Sequence, residues 1–391
     1  MYKLLLKSKK VNTLTYIYLA TFFLAFHYYL TTYINSSFLK QYANTYTIGL
    51  IYATSSIVSI ILFLYSSKFL ERFGSYYTML WVAGLDVVFL TSLIASHNSF
   101  WVILFFIAHS SINPLILLNL DNFLESSSEN AGTGRIRGIF LTLMNMTAVM
   151  SPIIVGSILT EGSFSSIYIL SILTLLPLIY IVARRFKNLK DNNYHHIHLE
   201  NSVRTFIENK DIRNIYISNL LLQIFYSWVV IYVPIYLHET LGFDWQQLGL
   251  MISIALLPFV TLEIPIGTLA DKKFGEKEIL ILGFIVTAIG LCIMTFVHGN
   301  NFILWTIILL IARMGASLIE ITTESYFFKQ INSANQNLIS TFRTAGPMGY
   351  ILGPLLGSIL LIFIDQRYTF LILGGIMLSG IAVALRIKDT K

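Results

Sequence analysis

Charge is what this sequence has least of. Asp, Glu, Lys and Arg make up 12% of its 391 residues, about half the share usual in soluble domains. Hydrophobic residues make up 55% and mean hydropathy is +0.71. So few charged groups cannot clothe a protein in water, which excludes a soluble globular chain and makes lipid the solvent. Cysteine is scarcer still: Cys292 stands alone, so no disulfide can form within the chain. No Gly-rich loop ends in Lys-Ser/Thr, so ATP is not expected to act as a direct drive, and no cofactor is expected. Paired acids, a His-rich metal set or a nucleophile beside its base are also lacking, so an enzyme is not expected, nor a bound metal. Met1-Tyr2-Lys3 leads into no short apolar core with a cleavage site, so the first apolar span is read as the targeting signal.

What is present is apolar runs long enough to cross a hydrocarbon core of ~30 Å, which takes ~20 residues as helix. They cover 13–35, 46–65, 76–95, 100–123, 138–159 and 164–182, then 215–237, 247–269, 279–296, 302–328, 339–364 and 368–385. Backbone groups in lipid must be paired within the span, so these are helices. The expectation is an all-α integral membrane protein with twelve transmembrane helices in two six-helix bundles, 1–183 and 214–391. A basic linker, 184–213, joins them. Within it, 199–209 has the apolar stripe of an interfacial helix, Leu199, Val203, Phe206 and Ile207. The tract His195-His196-Ile197-His198 reads as solvated linker, with metal binding the lesser alternative.

Lys and Arg fall almost entirely on one side of this arrangement. Lys3, Lys7, Lys9, Lys10, Lys68, Arg72, Arg135, Arg137, Lys272, Lys273, Lys277, Lys329, Arg386, Lys388, Lys391 and the linker share that side; Arg313 and Arg343 fall within spans, and the other side offers only Lys40 and Arg367. Basic loops stay in the cytoplasm, so both termini are expected there, in the plasma (inner) membrane. The same asymmetry accounts for the net charge of +6 without nucleic-acid binding.

The two halves resemble each other at a shift of about 200 residues. Gly49-Leu50 precedes Glu71 as Gly249-Leu250 precedes Asp271. Ser67-Lys68-Phe69-Leu70-Glu71-Arg72-Phe73-Gly74 answers Gly267-Thr268-Leu269-Ala270-Asp271-Lys272-Lys273-Phe274-Gly275, and Ser151-Pro152 through Gly156 answers Gly353-Pro354 through Gly357. Two similar apolar halves are an arrangement of secondary transporters. In the loops, an acid can lie against the positive end of a neighbouring helix, worth ~0.3–1 kcal/mol, and glycine permits a tight turn. Such contacts would latch one cytoplasmic arrangement and release it in another. In the paired Pro–Gly segments, proline kinks a helix and glycine allows close helix contact.

Taken together, the two six-span halves, the basic linker and these loops resemble the major facilitator superfamily over essentially the whole chain. Gly267-Thr268-Leu269-Ala270-Asp271-Lys272 matches the family's loop motif between spans two and three, in its second-half copy, with one extra residue before Gly275. The first-half copy keeps Glu71, Arg72 and Gly74. Arg135-Ile136-Arg137-Gly138 resembles the basic signature after span four, with Glu125 or Glu129 as partners. The resemblance makes Asp121 a partner of Arg72 or of Arg135 and Arg137, and puts Asp86, in span three, at the periphery in a structural role. The segments with Pro152 and Gly156, and with Gly353, Pro354 and Gly357, resemble a motif associated with exporters. The family implies a cavity lined by spans one, four, seven and ten.

Ionisable groups within spans are costly and so are functional candidates. Span ten carries Arg313, Ser317, Glu320 and Glu324 at steps of four, three and four, on one helical face. They read either as transport groups, with Glu320 the proton carrier, or as a structural Arg–Glu pair. Span four offers His109 and Asn113. Span one offers His27, either a titrating cavity group or a hydrogen-bonded packing residue. Span seven offers Gln223, Tyr226, Ser227 and Trp228 to cradle a small molecule, whereas Tyr232 and Tyr236 read as interface anchors. The expected function is secondary active transport of a small solute by alternating access, coupled to protons, with drug or metabolite efflux leading. Uptake of a small polar nutrient, by symport or uniport, and a non-transporting sensor are the alternatives. Its partners would be the bilayer, the solute and protons, and it would work as a monomer.

Overall fold

The computed structural model describes residues 2–127, 133–160, 163–189, 208–270, 275–330 and 336–388, and these are helical nearly throughout. The chain forms α1 (Tyr2–Thr32), α2 (Asn35–Lys40), α3 (Thr45–Ala95), α4 (Ser99–Ser127), α5 (Thr133–Leu159) and α6 (Phe164–Ile181). After the linker come α7 (Lys210–Ile235), α8 (Trp245–Thr261), α9 (Glu263–Leu269), α10 (Glu276–Phe296), α11 (Phe302–Gln330), α12 (Gln336–Arg343), α13 (Ala345–Phe363) and α14 (Gln366–Ala384). The interfacial helix expected at 199–209 and the His tract lie almost wholly outside the described residues.

Among the described residues, eleven stretches are long and apolar enough to cross a membrane, α3 supplying two of them, Thr45–Ser66 and Lys68–Ala95. The twelfth expected span, 247–269, is divided. Trp245–Thr261 ends and Glu263–Leu269 begins at Leu262, which has a bend in its helical geometry. Pro265 explains this, since its ring displaces the carbonyl four residues earlier, that of Thr261, and it has no N–H to bond it. Hydrogen bonds from Leu262 N to Pro258 O and from Ile266 N to Leu262 O, each 2.9 Å, carry the chain across the break.

The chain divides into two compact units: Met1–Tyr42 with Thr54–His196, and Ala43–Ala53 with Ile197–Lys391. The first is built round Ile17, Leu24, Met79, Ile116, Leu120 and Leu178. In both, large apolar side chains also face outward, Trp81 at 68% exposure and Phe363 at 77%, as lipid-facing surfaces do. The repeated loop motif has a backbone counterpart. Gly74 has φ 74° and ψ 164°, and Gly275 has φ 79° and ψ 165°, a left-handed conformation that glycine adopts without a Cβ penalty.

In the second unit α13 lies against α7 along a seam of glycines four residues apart. A Cβ on Gly349 would meet Gln223 Cβ at 2.4 Å, one on Gly353 would meet Ser227 Oγ at 2.1 Å, and one on Gly357 the Tyr232 ring at 2.4 Å. Tyr232 and Tyr236 therefore do not anchor an interface. They are 1% and 4% exposed, and Tyr232 Oη donates to Pro354 O at 2.9 Å. A tyrosine at the end of an apolar run suits a belt or a core equally well, and here the missing Cβ atoms on α13 make room for the ring.

Glu276 opens α10 just after the Gly275 turn. Only 1% exposed, it accepts from Ser325 Oγ at 2.9 Å and from Lys329 Nζ at the end of α11. Hydrogen bonds to a charged group contribute ~1.5–3 kcal/mol, so Glu276→Ala should destabilise the chain by about that amount. Thermal unfolding in detergent would show it.

Candidate functional site

Two polar clusters stand out, one in each unit, fully buried in the first and partly buried in the second. In the second, α11 presents Arg313, Ser317 and Glu320 along one face. Arg313 is 5% exposed, with its guanidinium 5.7 Å from the ring centroids of both Phe225 and Tyr226. Tyr226 Oη donates to Glu320 Oε2 at 2.6 Å, within the short range of a hydrogen bond to a carboxylate. Ser317 Oγ donates to Pro258 O at 3.3 Å, and the Tyr226 ring meets Phe259 edge-on at 5.9 Å. A guanidinium, a carboxylate, a phenol and aromatic faces are thus gathered from α7, α8 and α11. Gln223, one helical turn before Tyr226 on α7, is half-buried and its Nε2 donates to Asn219 Oδ1 at 3.4 Å.

Two expected members stand apart. Glu324 is engaged by Arg343 through two hydrogen bonds, Nη1–Oε1 at 2.5 Å and Nη2–Oε2 at 3.2 Å, at a half-exposed position. Trp228 is fully buried and packs on Tyr232, ring centroids 5.7 Å apart, as part of the α7 core.

In the first unit, His27, Asp86 and His109 come together from α1, α3 and α4. His27 Nε2 lies 2.8 Å from Asp86 Oδ2, and His109 Nδ1 lies 2.6 Å from Asp86 Oδ1, at exposures of 0–2%. Asn113 sits one turn below His109, its Nδ2 3.3–3.4 Å from the ring nitrogens. On the far side His27 Nδ1 is 2.9 Å from Ser171 Oγ and 3.2 Å from Ser171 O, on α6. Asp86 is therefore not peripheral, since it faces the interior and joins the two histidines. Sequence reasoning gave Asp86 a peripheral, structural role and missed Ser171, although a lone acid in an apolar span was the signal to follow.

Of the loop residues, Glu71 and Arg72 are exposed, with Arg72 5.3 Å over the Phe73 ring. Asp121 and Gly267 are half-buried. Asp271 and Lys272, and the side chains of Arg135 and Arg137, lie outside the described residues. Pro152 and Gly156 are buried in α5, and Pro354 is buried in α13.

With this geometry in place, the sequence matches the family model of the Major Facilitator Superfamily over residues 17–245 and 215–391. The chain belongs to the major facilitator superfamily. Among solved structures, the nucleoside transporter NupG is similar at a TM-score of 0.77 and 13% identity, covering 96% of this chain and 100% of that one. A structure described under substrate recognition in proton dependent oligopeptide transporters is similar at 0.72 and 14%, covering 96% and 98%. At such identities the likeness is one of fold. No curated protein matched. Membership makes this multi-pass membrane protein a secondary transporter of a small molecule and not an enzyme.

Proposed function

We propose that this major facilitator superfamily protein couples the movement of a small polar solute to protons, with Glu320 carrying the coupling proton and Arg313 contacting the solute. The observation that carries the reading is the Tyr226–Glu320 hydrogen bond of 2.6 Å beside a guanidinium that is 5% exposed. A carboxylate in a span is costly unless it has such partners and a use for its charge. Protonation neutralises Glu320 and weakens its hold on Tyr226, which gives the two charge states different local contacts and so a way to bias one arrangement over another. Arg313 and the second amide hydrogen of Gln223 supply donors that suit a polar or anionic solute better than an apolar drug. The Pro–Gly segment of α13 is accounted for by the seam against α7 and adds nothing to export by antiport.

The one-sided distribution of Lys and Arg supports cytoplasmic termini in the plasma (inner) membrane. The test is flux in proteoliposomes under an imposed proton gradient, with nucleosides, short peptides, sugars and amphipathic drugs as the panel. Polar-solute flux should follow the gradient and stop with a protonophore. Exchange of a solute that ignores the gradient would make the protein a uniporter and end the coupling proposal.

A further inference from the structure

The first unit's buried cluster contains an electrostatic conflict that its own atoms do not resolve. Ser171 Oγ donates to His27 O at 2.9 Å, so towards His27 Nδ1, also 2.9 Å away, it can only accept. Ser171 O, 3.2 Å from the same nitrogen, accepts too. Nδ1 therefore carries hydrogen, and in a neutral imidazole Nε2 then bears a lone pair. That lone pair lies 2.8 Å from Asp86 Oδ2 at 0% exposure. The two atoms do not line up as a hydrogen bond, and each lacks a hydrogen-bond partner, as does Asn113 Oδ1 close by. Two electron-rich atoms in contact in a dry interior require a positive charge.

A proton on Nε2 would supply one through an ion pair with Asp86. A metal ion seated beside both atoms would supply it as well, and would draw on His109. His27, Asp86 and His109 each offer a ligand atom, all within 4.8 Å of one another. An imidazole held by hydrogen-bond acceptors at its second nitrogen, as His27 is by Ser171, is the usual support for a metal-bound histidine. We propose that His27, Asp86 and His109 form a site for a divalent transition ion of the zinc class, tying α1, α3 and α4 together inside the first unit. Two nitrogens and one carboxylate leave further coordination open, where hydroxide would offset the remaining positive charge. His109 would have to give up its hydrogen bond to Asp86, and a turned Asn113 amide could then accept from its other nitrogen. The site is separate from the Glu320 cluster and does not depend on proton coupling.

The test uses the full chain in detergent, stripped with a chelator, exposed to Zn²⁺, desalted and analysed for bound metal and for thermal stability. One ion per chain and a raised unfolding temperature are expected. Asp86→Asn and His109→Ala should abolish both, and Ser171→Ala should weaken binding roughly 10-fold. The triple variant His195→Ala, His196→Ala, His198→Ala should keep the ion, which separates the site from adventitious binding on the linker. Loss of the metal in that triple variant would overturn the proposal. So would a wild-type chain that stays metal-free, with an unfolding temperature indifferent to Zn²⁺ and chelator, in which case the charge is a proton on His27.

Discussion

Gly315→Val should prevent the second unit from folding. A Cβ at this position would lie 2.4 Å from both Thr287 N and Thr287 Oγ1 and 2.7 Å from Gly283 O. Two of these three atoms are backbone, so no rotamer change relieves the contact; α10 and α11 must move apart. Gly283 and Gly290 meet α11 equally closely from the other side, with prospective Cβ contacts of 2.7–3.0 Å to Ala312, Gly315 and Ile319, so separation would empty the whole seam. Overpacking typically costs ~1–3 kcal/mol and more where the surroundings are rigid, and small-residue contact is the main source of helix association in lipid. The measurement is monodispersity and thermal inactivation in detergent. Gly84→Val is the control, since a Cβ there meets nothing within 4 Å, and it should lie within about 0.5 kcal/mol of the wild type.

Glu320→Gln should abolish concentrative transport while leaving exchange intact. A proton gradient equivalent to 100 mV supplies ~2.3 kcal/mol per charge, which at one proton per solute supports a concentration ratio of about 50-fold. Glutamine keeps the shape of the side chain and an acceptor for Tyr226 Oη but cannot take up and release the proton, so the ratio should fall to about one. Counterflow of labelled solute against unlabelled needs no proton cycle and should continue. Equal loss of both activities would give Glu320 a structural role with Arg313 and Tyr226. Unchanged accumulation would move the coupling proton elsewhere.

The fold was legible because length and hydropathy alone decide which segments can span a bilayer, and the halves carry matching loops at matching spacing. The break at Leu262 was marked in the sequence only by Glu263 and Pro265 just after it, which a window read for length and hydropathy over 247–269 passes over. Within the sites, Arg313 and Glu320 could be found because helical spacing along one span puts them on the same face. Tyr226 was found as a polar group in span seven, though its bond to Glu320 depends on how two helices face each other. Asp86 shows the limit. Its partners depend on the rotation of three helices about their axes, which a single apolar run does not encode, so the family expectation of a peripheral span three gave a structural role but no partners. Glu276 was hidden for a related reason, since a loop acid reads as solvated until the end of α11 is seen to cover it.

The solitary thiol noted at the outset also determines how the transport cycle can be observed. Cys292 lies on α10, where a Cβ on Gly374 of α14 would come within 2.9 Å of its sulfur. Replacing it with alanine introduces no bulk there and leaves a chain without any thiol. Cysteines placed in pairs, one in each unit, can then carry spin labels or fluorophores with no background signal. The distance distribution between them, recorded with and without a proton gradient, would show directly how many arrangements the transporter visits.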